Sequence, residues 1–201
     1  MVQLFLDGGG FMWPILIIFI FGFVFVGERL YHLIKGMASN FDFANEVAEV
    51  VKSSGFNDGL SKCNESDGPV ANLCYAALER AENGVESAEK SLEQSAAIEM
   101  ASLEKNMTWI SLCIATAPML GFLGTVWGMI QAFNDIKMAN DISPAVVAGG
   151  ISVALLTTAF GLVVAVILQI MQNAVMYIID NQIVTLQKST TMLLNAIAKK
   201  K

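Results

Sequence analysis

The sequence ATAPMLGFLGTVWGMIQAF, residues 115–133, decides the fold of this chain. It is apolar throughout, yet it contains Gly121, Gly124 and Gly128 and the hydroxyl group of Thr125. The three glycines have the spacing i, i+3 and i+7, which places them on one face of a helix where a second backbone can approach closely. The spacing therefore predicts a membrane helix that packs tightly against another helix.

A second apolar stretch, residues 145–168, has the same character. Its small and hydroxyl-bearing residues include Gly149, Gly150, Gly161, Ser152, Thr157 and Thr158. Two apolar helices that each carry glycines and mid-depth hydroxyls predict close packing around a shared polar seam. Thr125, Thr158 and Thr157 are the candidate functional residues of that seam, and the glycines of both stretches are the candidate packing residues.

The composition is that of a membrane protein rather than a soluble domain. Of the 201 residues, 55% are hydrophobic and only 15% are charged, and the mean hydropathy is +0.58. A net charge of −6 without a basic patch excludes nucleic acid as a partner. The three cysteines lack a CxxC motif and are interpreted as free thiols. The single histidine, His32, leaves no zinc-site spacing, so no metal or other cofactor is expected.

The rest of the chain supplies one more apolar run and a long polar region. Residues 11–26 predict an uncleaved membrane helix, because a basic start and a small-residue cleavage site are both missing. In the polar region, residues 55–59 predict a turn. Apolar residues at helical spacing after Gly68-Pro69 predict a helix that continues into the second membrane span as one element of more than about 50 residues.

These patterns give three spans and their flanking segments. The predicted order is an N-terminal segment at 1–10, a first span at 11–29, a polar region at 30–106, a second span at 107–133, a hairpin at 134–144, a third span at 145–178 and a C-terminal amphipathic helix at 179–201. Eleven of the twelve Lys and Arg residues lie at 29–105 or 188–201. By the positive-inside rule, the polar region and the C-terminal helix are expected to be cytoplasmic, and the N-terminal segment and the hairpin periplasmic.

Three motifs in this order resemble those of one known family. They are GGFMWP at 9–14 with the Glu28-Arg29 ending of the first span, ATAPMLGFLGTVWGMI at 115–130, and GISVALLTTAFGL at 150–162. In order, spacing and topology they are similar to the MotA/TolQ/ExbB membrane subunits of ion-driven motors. With three spans rather than four, the chain looks closer to the ExbB/TolQ branch.

The resemblance implies an architecture and a role. The architecture is an all-α integral membrane protein of the bacterial inner membrane with three transmembrane helices, the second and third extended into the cytoplasm, assembling as a homo-pentamer. The implied partner is a single-span protein of the ExbD/TolR/MotB type, present in two copies, that contributes an intramembrane Asp. Ions, H⁺ or Na⁺, pass along the interface and drive work at the outer membrane or cell envelope. Thr125 and Thr158 correspond to the two pore-facing threonines, whereas Val153 replaces a Glu that is usual in the ExbB/TolQ branch.

The residues themselves favour an ion path that needs a second chain. Segments 107–133 and 145–168 contain hydroxyls but no Asp, Glu, Lys, Arg or His, and a proton relay at depth needs a titratable group. Thr157 either adds an oxygen to the path, which makes Na⁺ as plausible as H⁺, or faces a neighbouring helix. Alternatively, each threonine hydroxyl bonds to a carbonyl one turn earlier in its own helix. The alternative function is a passive structural scaffold. An enzyme is not expected, because no nucleophile has a neighbouring base.

Overall fold

The chain folds into helices. The structure is a computed structural model that describes residues 2–36, 41–66, 68–81, 83–139 and 144–200. Its elements, in chain order, are α1 Val2–Asp7, α2 Met12–Gly36, α3 Phe41–Ser53, α4 Phe56–Asn64, α5 Pro69–Ala81, α6 Val85–Leu103, α7 Met107–Ala139 and α8 Pro144–Lys200. The prediction of an all-α chain is confirmed, and α8 begins at Pro144 as the first-turn proline indicates.

Three segments are long and apolar enough to cross a membrane. They lie within Met12–Ile34, Val85–Met138 and Val147–Ala198. The second range includes the turn at 104–106 that separates α6 from α7, so its spanning part is α7. The prediction of three membrane-spanning helices, in α2, α7 and α8, is consistent with these lengths and compositions.

Chain contacts divide the protein into two compact units. The first consists of the described residues of Met1–Glu28 and Asn106–Ala174. Its core is a buried cluster of Ile15 from α2, Cys113 and Ala117 from α7, and Val164 and Leu168 from α8. This cluster packs the three apolar helices of the unit against one another, and it lies beside the α7–α8 seam that the glycine spacing predicts.

The second unit consists of the described residues of Arg29–Lys105 and Val175–Lys201. Within it, α5 packs against α4 and α6, and α3 packs against α4 and α5. The sequence predicts an apolar stripe of Ile179, Ile183, Leu186, Leu193 and Ile197 on the C-terminal part of α8. Four of the five residues are at most 2% exposed, and Ile183 is partly buried. The amphipathic character of this helix is therefore confirmed.

Two of the three cysteines lie in contact in the second unit, and all three are free thiols. Cys74 of α5 donates a hydrogen bond to the sulfur of Cys63 of α4, which lowers the pKa of Cys63 although burial opposes the change. The same bond, together with burial, raises the pKa of Cys74. Cys63 is therefore the more acidic of the two thiols.

The expectation of one long helix running into the second span is wrong. The predicted element is interrupted after Ala81, where Gly84 has φ +114°, and again after Leu103, where Asn106 has φ +65°. Both residues adopt the left-handed region, which glycine reaches freely and asparagine reaches more readily than most residues. The apolar spacing continues across both breaks, which is why periodicity alone did not reveal them.

The helix break at Asn106, between α6 and α7, is stabilised by a side-chain contact within the first unit. The side-chain amide of Asn106 donates to both carboxylate oxygens of Glu28 at 3.2 Å. This bond helps to hold Asn106 in a backbone conformation that costs roughly 1–2 kcal/mol for a residue with a side chain. Glu28 was predicted only as the boundary of the first span, and the structure gives it this further role.

Three smaller expectations also change. Of the turn predicted at 55–59, only Gly55 lies outside a helix, and the remaining residues form the start of α4. Helix α7 continues to Ala139, so the first part of the predicted hairpin is helical, whereas 140–143 lie outside the described residues. The N-terminal segment contains a short helix, α1, that was not predicted.

Arg29 secures the end of α6 within the second unit. Its Nη2 donates to the carbonyl oxygens of Ser102 and Leu103 at 2.8 Å each, and the side chain is only 5% exposed. These carbonyls belong to the last turn of α6, where the i→i−4 donors of the helix end. The Ser102 carbonyl also accepts the backbone N–H of Lys105 at 3.3 Å. A buried cation at this position also interacts favourably with the helix dipole.

Replacing Arg29 with methionine is expected to lower the free energy of unfolding by about 2–4 kcal/mol, because two charge-assisted bonds to buried carbonyls are lost. Thermal unfolding of the purified protein in mild detergent measures the effect. Arg80→Met is the matched control, since Arg80 is an exposed residue in the last turn of α5. Equal melting temperatures for the two variants would contradict the assigned role of Arg29.

Candidate functional site

Helices α7 and α8 approach each other so closely that their backbones touch. A Cβ atom added at Gly161 would lie 2.6 Å from the carbonyl oxygen of Ala117, and one added at Gly121 would lie 2.9 Å from the carbonyl oxygen of Thr157. A Cβ at Gly128 would lie 3.1 Å from the Cβ of Ala154. Any larger residue at the first two positions would meet backbone, which cannot rotate away.

The other candidate packing glycines fall into two groups. A Cβ at Gly124 would lie 2.7 Å from the hydroxyl oxygen of Thr157, and one at Gly150 would overlap the side chain of Ala132. A Cβ at Gly149 would meet no atom of the described residues within 4 Å. Gly149 therefore takes no part in the α7–α8 contact, whereas the other five glycines lie in it.

The close approach brings three threonine hydroxyls onto two backbone carbonyls. The Gly121 carbonyl of α7 lies 3.2, 3.3 and 3.1 Å from the hydroxyl oxygens of Thr125, Thr157 and Thr158. The Ala154 carbonyl of α8 lies 3.1 Å from the Thr125 hydroxyl and 2.7 Å from that of Thr157. The Thr125 and Thr158 hydroxyls also contact each other directly. These five oxygens form the threonine cluster.

The three threonines differ in how deeply they are buried. Thr157 is 1% exposed, and its shortest bond is the one to the Ala154 carbonyl of its own helix. Thr125 and Thr158 are only partly buried, so their hydroxyls lie at the edge of the seam. Each hydroxyl has one proton and two lone pairs. Three protons shared among six contacts allow each hydroxyl to change the acceptor of its hydrogen bond, and lone pairs at the edge are left for an additional donor or a cation.

The alternative in which each hydroxyl bonds only within its own helix describes other threonines of the chain. Thr116 of α7 donates to the Leu112 carbonyl one turn earlier at 2.6 Å, as hydroxyls in apolar helices commonly do. Thr125 makes the corresponding bond to Gly121, but it also reaches Ala154 across the seam. Sequence reasoning named the hydroxyls and missed the two carbonyls, because backbone groups leave no signature in the sequence.

The surroundings of the cluster are uncharged. A cavity of about 380 Å³ lies beside it, lined chiefly by 8–11, Trp127, Gln131, Val153 and Thr157, with no acidic or basic side chain among the described residues that line it. Val153 therefore presents an apolar surface where the resemblance leads one to expect Glu. Among the residues that the structure describes, no group of His, Cys, Asp and Glu has the arrangement of a metal site.

The comparison with known proteins agrees with this architecture. Residues 65–188 match the MotA/TolQ/ExbB proton channel family, which is more than half of the chain. The chain belongs to the MotA/TolQ/ExbB proton channel family. The matched range contains α7 and most of α8, and therefore the threonine cluster and the packing glycines.

Individual relatives of this family indicate the branch. The putative biopolymer transport protein ExbB homolog of Methanothermobacter thermautotrophicus is 30% identical over 183 residues, which are 90% of this chain and 65% of the relative. The biopolymer transport protein ExbB of Neisseria gonorrhoeae is 32% identical over 124 residues, 55% of this chain and 56% of the relative. The putative biopolymer transport protein ExbB-like 1 of Synechocystis sp. is 29% identical over 170 residues, 81% of this chain and 65% of the relative.

The relatives confirm the ExbB branch that the motifs predict. They are also longer than the region they share with this chain, which spans between 56% and 65% of their length.

Proposed function

We propose that this chain is the multi-span subunit of an ion-driven motor of the ExbB/TolQ type. In this role it forms a homo-pentamer in the inner membrane, with its N-terminus in the periplasm and its C-terminus in the cytoplasm. It holds a single-span partner of the ExbD/TolR type, in two copies. Flow of H⁺ or Na⁺ along their interface supplies energy for transport or mechanical work at the outer membrane or cell envelope. The relatives described as biopolymer transport proteins support this proposal.

The threonine cluster is the observation that carries the proposal. A cation that leaves water needs oxygen atoms in place of its hydration shell. At the edge of the seam, Thr125 and Thr158 offer hydroxyl oxygens that are only partly buried, and the shared carbonyls let those hydroxyls reorient. Their partial exposure distinguishes these two hydroxyls from that of Thr157, which is enclosed between the helices.

The missing component of the path is a group that can carry charge. The apolar parts of α7 and α8 contain no titratable side chain except the thiol of Cys113, which is buried in the core of the first unit. Hydroxyls do not ionise at physiological pH, so the cluster can position a cation but cannot neutralise it. A carboxylate placed opposite Thr125 and Thr158 by a second chain supplies that function, which is why the proposal includes a partner with an intramembrane Asp.

A passive scaffold is the second candidate function. The backbone contacts of Gly121 and Gly161 favour it, because close packing of this kind also serves assembly alone. A scaffold would retain its function without ion flow, and the partner would then be dispensable or absent.

The test begins with purification of the tagged protein from its native membranes in mild detergent, with mass spectrometry of the associated proteins. We expect a small single-span protein with an intramembrane Asp to co-purify. The complex, reconstituted into liposomes, is expected to conduct ions at least about tenfold faster than the subunit alone, because only the complex contains the carboxylate. Equal flux through the subunit alone would overturn the proposed division of roles.

The same liposomes identify the ion and separate the two functions. Replacement of Na⁺ by K⁺ at constant pH is expected to reduce flux if Na⁺ is the transported ion and to leave it unchanged if the ion is H⁺. A homo-oligomer that carries no partner in several detergents, and whose envelope function persists after collapse of the ion gradients, would establish the scaffold instead.

A further inference from the structure

A second polar group lies at the inner end of the α7–α8 seam. Gln172 of α8 donates to the Ser111 hydroxyl of α7 at 2.6 Å. Gln169 donates to the Asn173 side-chain oxygen at 3.1 Å and lies 3.4 Å from the Gln172 oxygen. These four residues, Ser111, Gln169, Gln172 and Asn173, form the amide cluster. Trp109 precedes Ser111 by two residues on α7, and tryptophan is a residue type that is enriched at membrane–water interfaces.

The amide cluster lies on the same faces as the threonine cluster. With 3.6 residues per turn, Gln172 is about 40° around α8 from Thr158, and Ser111 is about 40° around α7 from Thr125. Both separations are 14 residues, or about 21 Å along the helix axes. The seam therefore has one group of interhelical polar contacts at mid-depth, in the threonine cluster, and a further contact at its inner end, between Ser111 and Gln172.

The amides retain unused hydrogen-bonding capacity. Among the described residues, none bonds to the side-chain oxygen of Gln169 or to the side-chain nitrogen of Asn173, and both side chains are exposed. Each primary amide has two donors and two lone pairs, and leaving such groups against hydrocarbon is costly. The exposed side of the cluster therefore faces water or polar groups rather than lipid acyl chains.

We infer that the amide cluster is the inner mouth of the ion path, where a monovalent cation regains its water shell before it enters the cytoplasm. This inference rests on the proposed function. Amide and hydroxyl oxygens hold a partly hydrated cation weakly, and a weak site is what release requires. Between the two clusters the exposed edge includes the apolar side chains of Phe122 and Leu162, so a second chain must enclose the water that connects the clusters.

The first test is accessibility to a small, membrane-impermeant cationic thiol reagent added to inside-out membrane vesicles. Gln172→Cys is expected to react at least about tenfold faster than Ile170→Cys, because position 170 is about 160° away on α8 and faces lipid. The wild-type protein gives the background, since its three cysteines are buried. Equal reaction at both positions would place this level of α8 in bulk solvent and overturn the inference.

An unreactive Gln172→Cys would also overturn the inference, and would assign the amides to a contact between copies of the chain.

The second test is ion flux through the reconstituted complex. Gln172→Leu is expected to reduce flux by about tenfold. The matched Gln94→Leu is expected to leave flux unchanged, because Gln94 is an exposed residue of α6 and lies outside the α7–α8 seam. If Thr158→Val stops flux while Gln172→Leu has no effect, this inference fails and the proposed function persists.

Discussion

Thr158→Val is expected to stop ion flux through the reconstituted complex while leaving the protein folded and assembled. Valine keeps the shape of threonine and removes only the hydroxyl, which bonds to the Gly121 carbonyl at 3.1 Å and contacts the Thr125 hydroxyl. Interhelical hydrogen bonds in membranes are worth about 0.6 kcal/mol on average and at most about 1.7 kcal/mol, so the fold survives their loss. The loss of an oxygen ligand from the path is expected to lower flux by at least about tenfold.

The matched control for this variant is Thr116→Val. Thr116 is also a half-buried hydroxyl in the apolar part of α7, but it bonds to the Leu112 carbonyl of its own helix. Flux and melting temperature are measured for both variants and for Thr158→Ser, which restores the hydroxyl and is expected to restore flux. A Thr158→Val complex as active as the Thr116→Val complex would assign the cluster to packing alone.

The membrane helices were predictable because two independent patterns agree on them. An apolar run gives the length of α7, and the i, i+3, i+7 glycines give the face that packs. What the sequence does not contain is the register between two antiparallel helices. That Gly161 meets Ala117 and Gly128 meets Ala154 depends on how α7 and α8 align, and many alignments satisfy the same spacing.

The breaks in the polar region were missed for a different reason. Asn83-Gly84 is a turn dipeptide and could have been recognised as one. Asn106 gives no such signal, because an isolated asparagine is common in helices and its left-handed conformation is supported here by a bond to the distant Glu28. Tertiary contacts of this kind override local preference, and they become visible only when the chain is folded.

The candidate site was likewise only partly predictable from the sequence. The hydroxyls of Thr125, Thr157 and Thr158 can be listed from the sequence, since few polar residues occur in the apolar stretches. The burial of each hydroxyl cannot be predicted from the sequence. Thr157 lies beside Thr158 in the chain, yet Thr157 is enclosed between the helices whereas Thr158 lies at the edge of the seam. The role of each threonine in ion flow stays a prediction until the valine variants are measured.

Gly161→Ala is expected to have the largest effect on the protein as a whole, because it separates α7 from α8. The added methyl carbon would lie 2.6 Å from the Ala117 carbonyl oxygen and 3.2 Å from the Gly121 Cα atom, both of which are backbone. Since neither can rotate away, the helices must move apart by roughly 0.5–1 Å before ordinary contact distances return. Overpacking of this kind costs about 1–3 kcal/mol.

The same separation of α7 and α8 lengthens hydrogen bonds of the threonine cluster, although the substitution alters no hydroxyl. The cross-seam bonds of Thr158 to Gly121 and of Thr125 to Ala154 are both 3.1 Å, and such a movement lengthens them beyond useful hydrogen-bond distance. Gly161→Ala is therefore expected to lower the melting temperature and to reduce flux at least about tenfold, so it combines the effects of a packing and a site variant.

Gly149→Ala and Gly27→Ala are the controls, because a Cβ at either position meets no atom of the described residues within 4 Å. Both are expected to keep flux and to raise stability by up to about 1 kcal/mol, the intrinsic advantage of alanine over glycine in a helix. A loss of assembly in Gly149→Ala alone would place Gly149 against another copy of the chain. Unchanged flux and melting temperature in Gly161→Ala would show that the α7–α8 seam yields to a methyl group, and the threonine cluster could not then be a site that depends on fixed distances.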